Sequence, residues 1–165
     1  MAESVTEEKN VLGGPLKACG SDPMTGFFRD GCCAWVPQDL GNHTVCAVMT
    51  ADFLRYQRNA GNDLITPIPA YDFPGLKPGD RWCVVARRWL QAYLAGYPAP
   101  VVLASTHAKA LEVVPLEALR ERTGGETGPV FLRLDRHGAP RAPSPIRLPV
   151  CRPSQPDAPA RPPAL

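Results

Sequence analysis

Apolar positions along this chain alternate between two periods, and the switches mark its elements. The run "HTVCAVMT", residues 43–50, is rich in β-branched and apolar residues and predicts a buried strand. It passes into "TADFLRYQRNAG", where Thr50 can cap a helix and Gly61 can end it. "RWCVVA", 81–86, predicts a second strand. "RRWLQAYLAG" follows as a helix with Trp89, Leu90, Tyr93 and Leu94 on one face and Gly96 as its stop. "APVVLAS" predicts a third strand, "LEVV" a fourth, and "PLEALRER" a short helix with Pro115 in its first turn. Between these runs, "NDLITPIPAYDFPGLKPGD" carries Pro67, Pro69, Pro74 and Pro78 and predicts a long ordered loop. Before residue 43, Gly13, Gly14, Pro15, Pro23 and Gly26 mark turns and irregular backbone. The expectation is an α+β fold: one compact domain with a small mixed or antiparallel sheet, two to three helices and long ordered loops.

Composition divides the chain near residue 123. Ten of the 20 prolines lie in the last 43 residues, and proline can neither donate to a sheet nor sit inside a helix. Apart from "PVFLRLD", 129–135, which reads as a short strand, this stretch is expected to be a largely disordered or polyproline-like extension. The division is therefore a disordered N-terminus over 1–9, a folded domain over 10–122 and a Pro-rich extension over 123–165. The whole chain carries +2, split as −1 over residues 1–122 and +3 over 123–165. A nearly neutral body leaves no electrostatic footprint for nucleic acid or an anionic membrane. No apolar run approaches the roughly 20 residues that span a bilayer. The opening "MAESVTEEKN" lacks an apolar h-region, so a soluble, cytoplasmic protein is expected.

That compartment sets the expectation for the six cysteines, Cys19, Cys32, Cys33, Cys46, Cys83 and Cys151: reduced thiols rather than disulfides. No C-x2-C pair is present, so no structural zinc is expected. Cys46 and Cys83 fall inside apolar strands and read as core; Cys32 and Cys33 are adjacent, one expected inward and one in the turn.

The long motifs "DPMTGFFRDGCC", "GNHTVCAVMT", "FPGLKPGDRWCVVARRW" and "PVVLASTHAKALEVVPLEAL", with "NVLGGPLKAC" and "GNDLITP", resemble the domain of unknown function 2237 family over roughly residues 10–122. These are small bacterial proteins, and the resemblance implies no activity, cofactor or ligand. Family sequences often read "RWCLC" in the second strand, whereas Val85 stands here in place of the second thiol.

No P-loop, dinucleotide fingerprint, G-x-S-x-G or H-E-x-x-H occurs, so the familiar enzyme classes lack support. What remains are charged or amide pairs beside glycine and large apolar residues: Arg29 and Asp30, Asn62 and Asp63, Asp80 and Arg81. Three readings follow. In the first, these residues, His43 and His107 line one cleft for a small molecule, with "TGFFRDGCCAW" as a loop anchored by Phe27, Phe28 and Trp35. The second is a thiol or soft-metal protein using Cys32, Cys33, Cys46 and His43, with Cys83 as a further thiol. The third is an interaction module whose Pro-rich tail docks a protein partner.

Overall fold

The computed structural model describes residues 8–123 and 149–151. Its centre is a two-stranded antiparallel sheet of β1 (Val45–Val48) and β2 (Arg81–Val84), with Val45 opposite Val84 and Val48 opposite Arg81. Each strand leads into a helix, β1 into α1 (Ala51–Asn59) and β2 into α2 (Ala86–Leu94). A short helix, α3 (Leu116–Arg120), follows. This is a small α+β fold.

The helix ends follow the expected chemistry. Thr50 keeps an extended backbone, and its hydroxyl accepts from the Phe53 N–H at 3.1 Å, satisfying one orphan donor of the first turn. The two helices bury their apolar stripes on one core, with Phe53 and Leu54 from α1 and Trp89 and Ala92 from α2. Polar groups join them as well: the Gln57 amide of α1, fully buried, donates to the Arg88 carbonyl of α2 at 2.9 Å.

Two expected strands are replaced. Residues 100–102 run beside β1 with a single bridge, Ala47 to Val101, and turn into a 3₁₀ segment at Leu103–Ser105. Pro100 has no N–H, so it can only accept (here from Val48), and the ladder ends after one residue pair. "LEVV" falls in and after a 3₁₀ segment, Ala108–Glu112, capped by His107. Leu111 and Glu112 face outward there, and Ala110 and Val114 enter the core.

The cysteines correct the expectation of reduced thiols. All six are paired: Cys19–Cys46, Cys33–Cys83 and Cys32–Cys151. The reason is tertiary. The segment before residue 43 lies across the sheet, which brings Cys19 onto Cys46 of β1 and Cys33 onto Cys83 of β2. Neither adjacent cysteine merely occupies a turn, since Cys32 and Cys33 are both buried and bonded to different elements.

Residues 149–151 belong by composition to the extension, yet they lie against residues 16–18. The Ala18 N–H donates to the Pro149 carbonyl, and the Cys151 N–H donates to the Leu16 carbonyl, both at 2.8 Å. Proline is acceptable in this edge pairing because only its carbonyl is used. The expected strand at 129–135 lies outside the described residues.

Candidate functional site

Strand register places the site. Pairing of Val45 with Val84 sets the entry of β1 beside the exit of β2, so His43 arrives next to Val85 and the first turn of α2. The Ala86 N–H donates to the Asn42 carbonyl at 3.0 Å, tying the two ends together. Into this corner opens a concavity of about 390 Å³, whose lining includes Phe27, Asp39, His43, Asn62, Val85 and Arg88.

His43 is held from one side. Its ring Nδ1 lies 2.7 Å from Asp39 Oδ1, and its backbone N–H donates to Asp39 Oδ2, also at 2.7 Å. The Asp39 side chain is fully buried, whereas the His43 side chain is 13% exposed, and both residues line the cleft. A carboxylate can only accept, which assigns the Nδ1 proton to this contact and leaves Nε2 as the free lone pair of the neutral ring. Among the described residues, no hydrogen-bond partner meets Nε2. Gly41 belongs to the same device, because a Cβ there would lie 3.0 Å from His43 Cε1. The Phe27 ring stands 6.0 Å from the imidazole on another side.

Asn62 reaches the cleft from the end of α1, where its amide donates to Gln57 Oε1 at 3.0 Å. Arg88 carries the cleft's cationic group. One of its guanidinium nitrogens donates to the Ala60 carbonyl at 3.2 Å, fixing the head near the C-terminal end of α1. Leu40, 91% exposed, forms an apolar lip.

Of the residues expected to share one cleft, His43 and Asn62 do so; the others stand elsewhere. Arg29 has a left-handed backbone and lies over the Trp82 ring at 4.6 Å. It lines a separate, smaller depression with Tyr71 and Asp72. Asp30 turns back into its own loop, where Oδ1 accepts from the Cys32 N–H at 3.0 Å. Asp63 closes a turn with the Ile65 and Thr66 N–H groups, and the Thr66 hydroxyl above all holds its carboxyl below the ordinary range. Asp80 closes another turn through the Lys77 N–H at 3.0 Å. Arg81 opens β2, its Cβ against Gly20. His107 caps the 3₁₀ segment by accepting from the Lys109 N–H, and its other nitrogen contacts Glu8. Cys32, Cys33, Cys46 and Cys83 offer no thiol in this state.

Two cleft residues escaped the sequence reading, Asp39 and Arg88. The first had a signal, since "DLGNH" sets a carboxylate four residues before the histidine with a glycine between them. Arg88 had none, because one exposed-looking arginine in a helix resembles any other.

The family described as "Uncharacterized protein conserved in bacteria (DUF2237)" matches residues 9–123. The chain belongs to the DUF2237 family. No curated protein matches it. The match takes in every residue of the cleft, so this corner lies wholly inside the DUF2237 domain, while residues 149–151 and Cys151 lie beyond it. No helix among the described residues of this DUF2237 protein is long and apolar enough to cross a membrane.

Asp30 offers a test of the neighbouring loop. Burial raises its carboxyl above the ordinary value of 3.8, overcoming the Cys32 N–H, which pulls it down. The folded state therefore holds this proton to higher pH than the unfolded chain does. Between the two values the folded form binds more protons, so this group's contribution to stability falls as pH rises through that window. Asp30→Asn, whose amide oxygen can still accept from Cys32, should flatten that acid-side slope without lowering stability at neutral pH. Urea unfolding from about pH 4 to 7 measures it. A less stable variant at pH 7 would show that the charge itself is needed.

Proposed function

We propose that this protein binds a small organic anion in the cleft, with His43 Nε2 as the proton acceptor or hydrogen-bond acceptor at its centre. The observation that carries the reading is the buried Asp39 carboxylate, which holds Nδ1 of His43 at the cleft wall and leaves Nε2 without a partner among the described residues. Holding a ring in one tautomer by a buried carboxylate is the arrangement that general-base histidines use. The ligand class follows from the lining. Phe27, Leu40 and Val85 suit an apolar body, and the Arg88 guanidinium suits a carboxylate or phosphate. A ligand hydroxyl or amine could donate to Nε2, and proton abstraction from such a group is the chemistry the dyad would support.

Arg29, Asp63, Asp80, Arg81 and His107 have no part in this reading, because each serves a turn, a cap or a separate face. The domain limits 1–9, 10–122 and 123–165 belong to the same proposal, supported by the family match over 9–123.

A thermal-shift screen of small carboxylates and phosphates is the direct experiment. His43→Gln should abolish the stabilisation by any ligand found. It should leave the ligand-free melting temperature within about 3 °C of wild type, the shift of under 1 kcal/mol in a domain this size. Arg88→Met should weaken anionic ligands and spare neutral ones. A ligand whose stabilisation is unchanged in both variants would place its site elsewhere.

A further inference from the structure

Four of the six cysteines meet at one place, and their meeting is independent of the His43 cleft. Cys46 on β1 and Cys83 on β2 are register partners. Their backbone N–H groups turn away from each other, Cys46 toward the Thr106 hydroxyl at 3.1 Å and Cys83 toward the Thr25 hydroxyl at 2.8 Å. This is the non-hydrogen-bonded kind of antiparallel pair, whose side chains stand closest on one face. Cys19 and Cys33 come down onto that face from the N-terminal segment, one onto each strand cysteine. The Sγ atoms of Cys19, Cys33 and Cys46 all lie within 4.8 Å of one another, and Cys83 is bonded to Cys33. All four residues are at most 2% exposed, and together they form one buried cluster with Val102 against it.

We propose that Cys19, Cys33, Cys46 and Cys83 form a redox-gated metal site, which holds one Zn²⁺ as a tetrathiolate when the two disulfides are reduced. Tetrahedral zinc with Zn–S bonds of about 2.3 Å places its sulfurs about 3.8 Å apart. The sulfurs of Cys19, Cys33 and Cys46 already lie within 4.8 Å of one another. On reduction each bonded pair must therefore open by about 2 Å and the unbonded ones close by about 1 Å, while Cys83, bonded to Cys33, turns in as the fourth ligand. Four thiolates and no oxygen ligand suit a borderline-soft d¹⁰ cation and disfavour magnesium or calcium. The sequence carries no C-x2-C pair because the ligands come singly from four segments, and the fold does the work that a chelating loop does in a zinc finger.

The chemistry balances as follows. Two molecules of a dithiol reductant supply four electrons and four protons, open both S–S bonds to four thiols, and leave as two cyclic disulfides. Binding of one Zn²⁺ then releases four thiol protons to solvent. Cys32 and Cys151 are not ligands. They pack in a different cluster with Leu16, and their reduction frees only the contact with residues 149–151.

The test uses the full chain, reduced under argon with the dithiol removed, and titrated with Co²⁺ as a spectroscopic substitute for zinc. The expected result is saturation at one cobalt per chain, with the visible bands of tetrahedral thiolate cobalt and their loss on adding zinc. Cys46→Ser and Cys83→Ser should lose the bands, and the double variant Cys32→Ser with Cys151→Ser should keep them. If the serine variants do not fold, X-ray absorption of the zinc-loaded wild type decides, with four sulfurs expected at about 2.3 Å. If the reduced chain itself unfolds, zinc should restore its near-ultraviolet circular dichroism. Absence of the bands in the reduced wild type, bands that depend on Cys32, or fewer than four sulfur ligands would each overturn the proposal. So would a reduced chain that stays unfolded with zinc present.

Discussion

Replacing Cys33 and Cys83 together by alanine lowers the free energy of unfolding by about 4 kcal/mol under oxidising conditions. The crosslink joins residues separated by 50 in sequence, and releasing it returns to the unfolded chain the conformational freedom of that loop. The same reasoning assigns about 3.5 kcal/mol to Cys19–Cys46, with its separation of 27, so the Cys33–Cys83 pair should cost more. Paired replacement matters, because a single change would leave a buried thiol free to exchange with the neighbouring disulfide. Urea unfolding followed by tryptophan fluorescence measures the difference. Against a total of about 5–15 kcal/mol for an ordinary domain, the effect is large. A loss below about 1 kcal/mol would mean that this bond does not constrain the unfolded chain. Alkylation without reductant, followed by mass spectrometry, supplies the companion result: three protected pairs with the connectivity seen here.

Trp89→Ala should cost about 3–5 kcal/mol by cavity formation. Trp89 heads the fully buried side chains, stacks on Tyr93 at 5.4 Å between ring centroids, and donates its indole N–H to the Ala99 carbonyl at 2.9 Å. That last bond ties α2 to the stretch running beside β1, so truncation removes packing and leaves an acceptor unpaired. Trp89→Phe separates the two effects. It keeps most of the ring volume and loses the donor, and should cost about 1–3 kcal/mol, the penalty for an unsatisfied buried group. If the alanine variant loses less than about 2 kcal/mol, the core collapses around the site and α2 is held mainly from elsewhere.

Local rules read the chain well wherever the structure is local. Thr50 caps α1 as its side chain dictates, β1 and β2 fall within the two apolar runs, and α3 starts directly after Pro115. The pattern misleads at "LEVV", which falls in and after a 3₁₀ segment, and at "APVVLAS", where pairing with β1 stops after the Ala47–Val101 bridge and a 3₁₀ segment follows. For the cleft, His43 and Asn62 were visible as residue types, whereas Asp63, Asp80 and Arg29 carried the same kinds of signal and serve turns or another face. Side-chain chemistry alone cannot tell a carboxylate that closes a turn from one that orients a histidine.

The family, the α+β class and the two strand-to-helix units are legible in the amino-acid pattern, because these depend on stretches of about 20 residues or fewer. Which distant residues meet is settled by the folding of the whole chain. Arg88 joins the Asp39–His43 pair because the register of β1 on β2 brings the entry of one strand to the exit of the other. Cys19 and Cys33 find Cys46 and Cys83 because an irregular N-terminal segment crosses that same sheet. Neither encounter has a local energetic signature. Each is set by long-range pairing, which a linear pattern of apolar and polar residues does not encode.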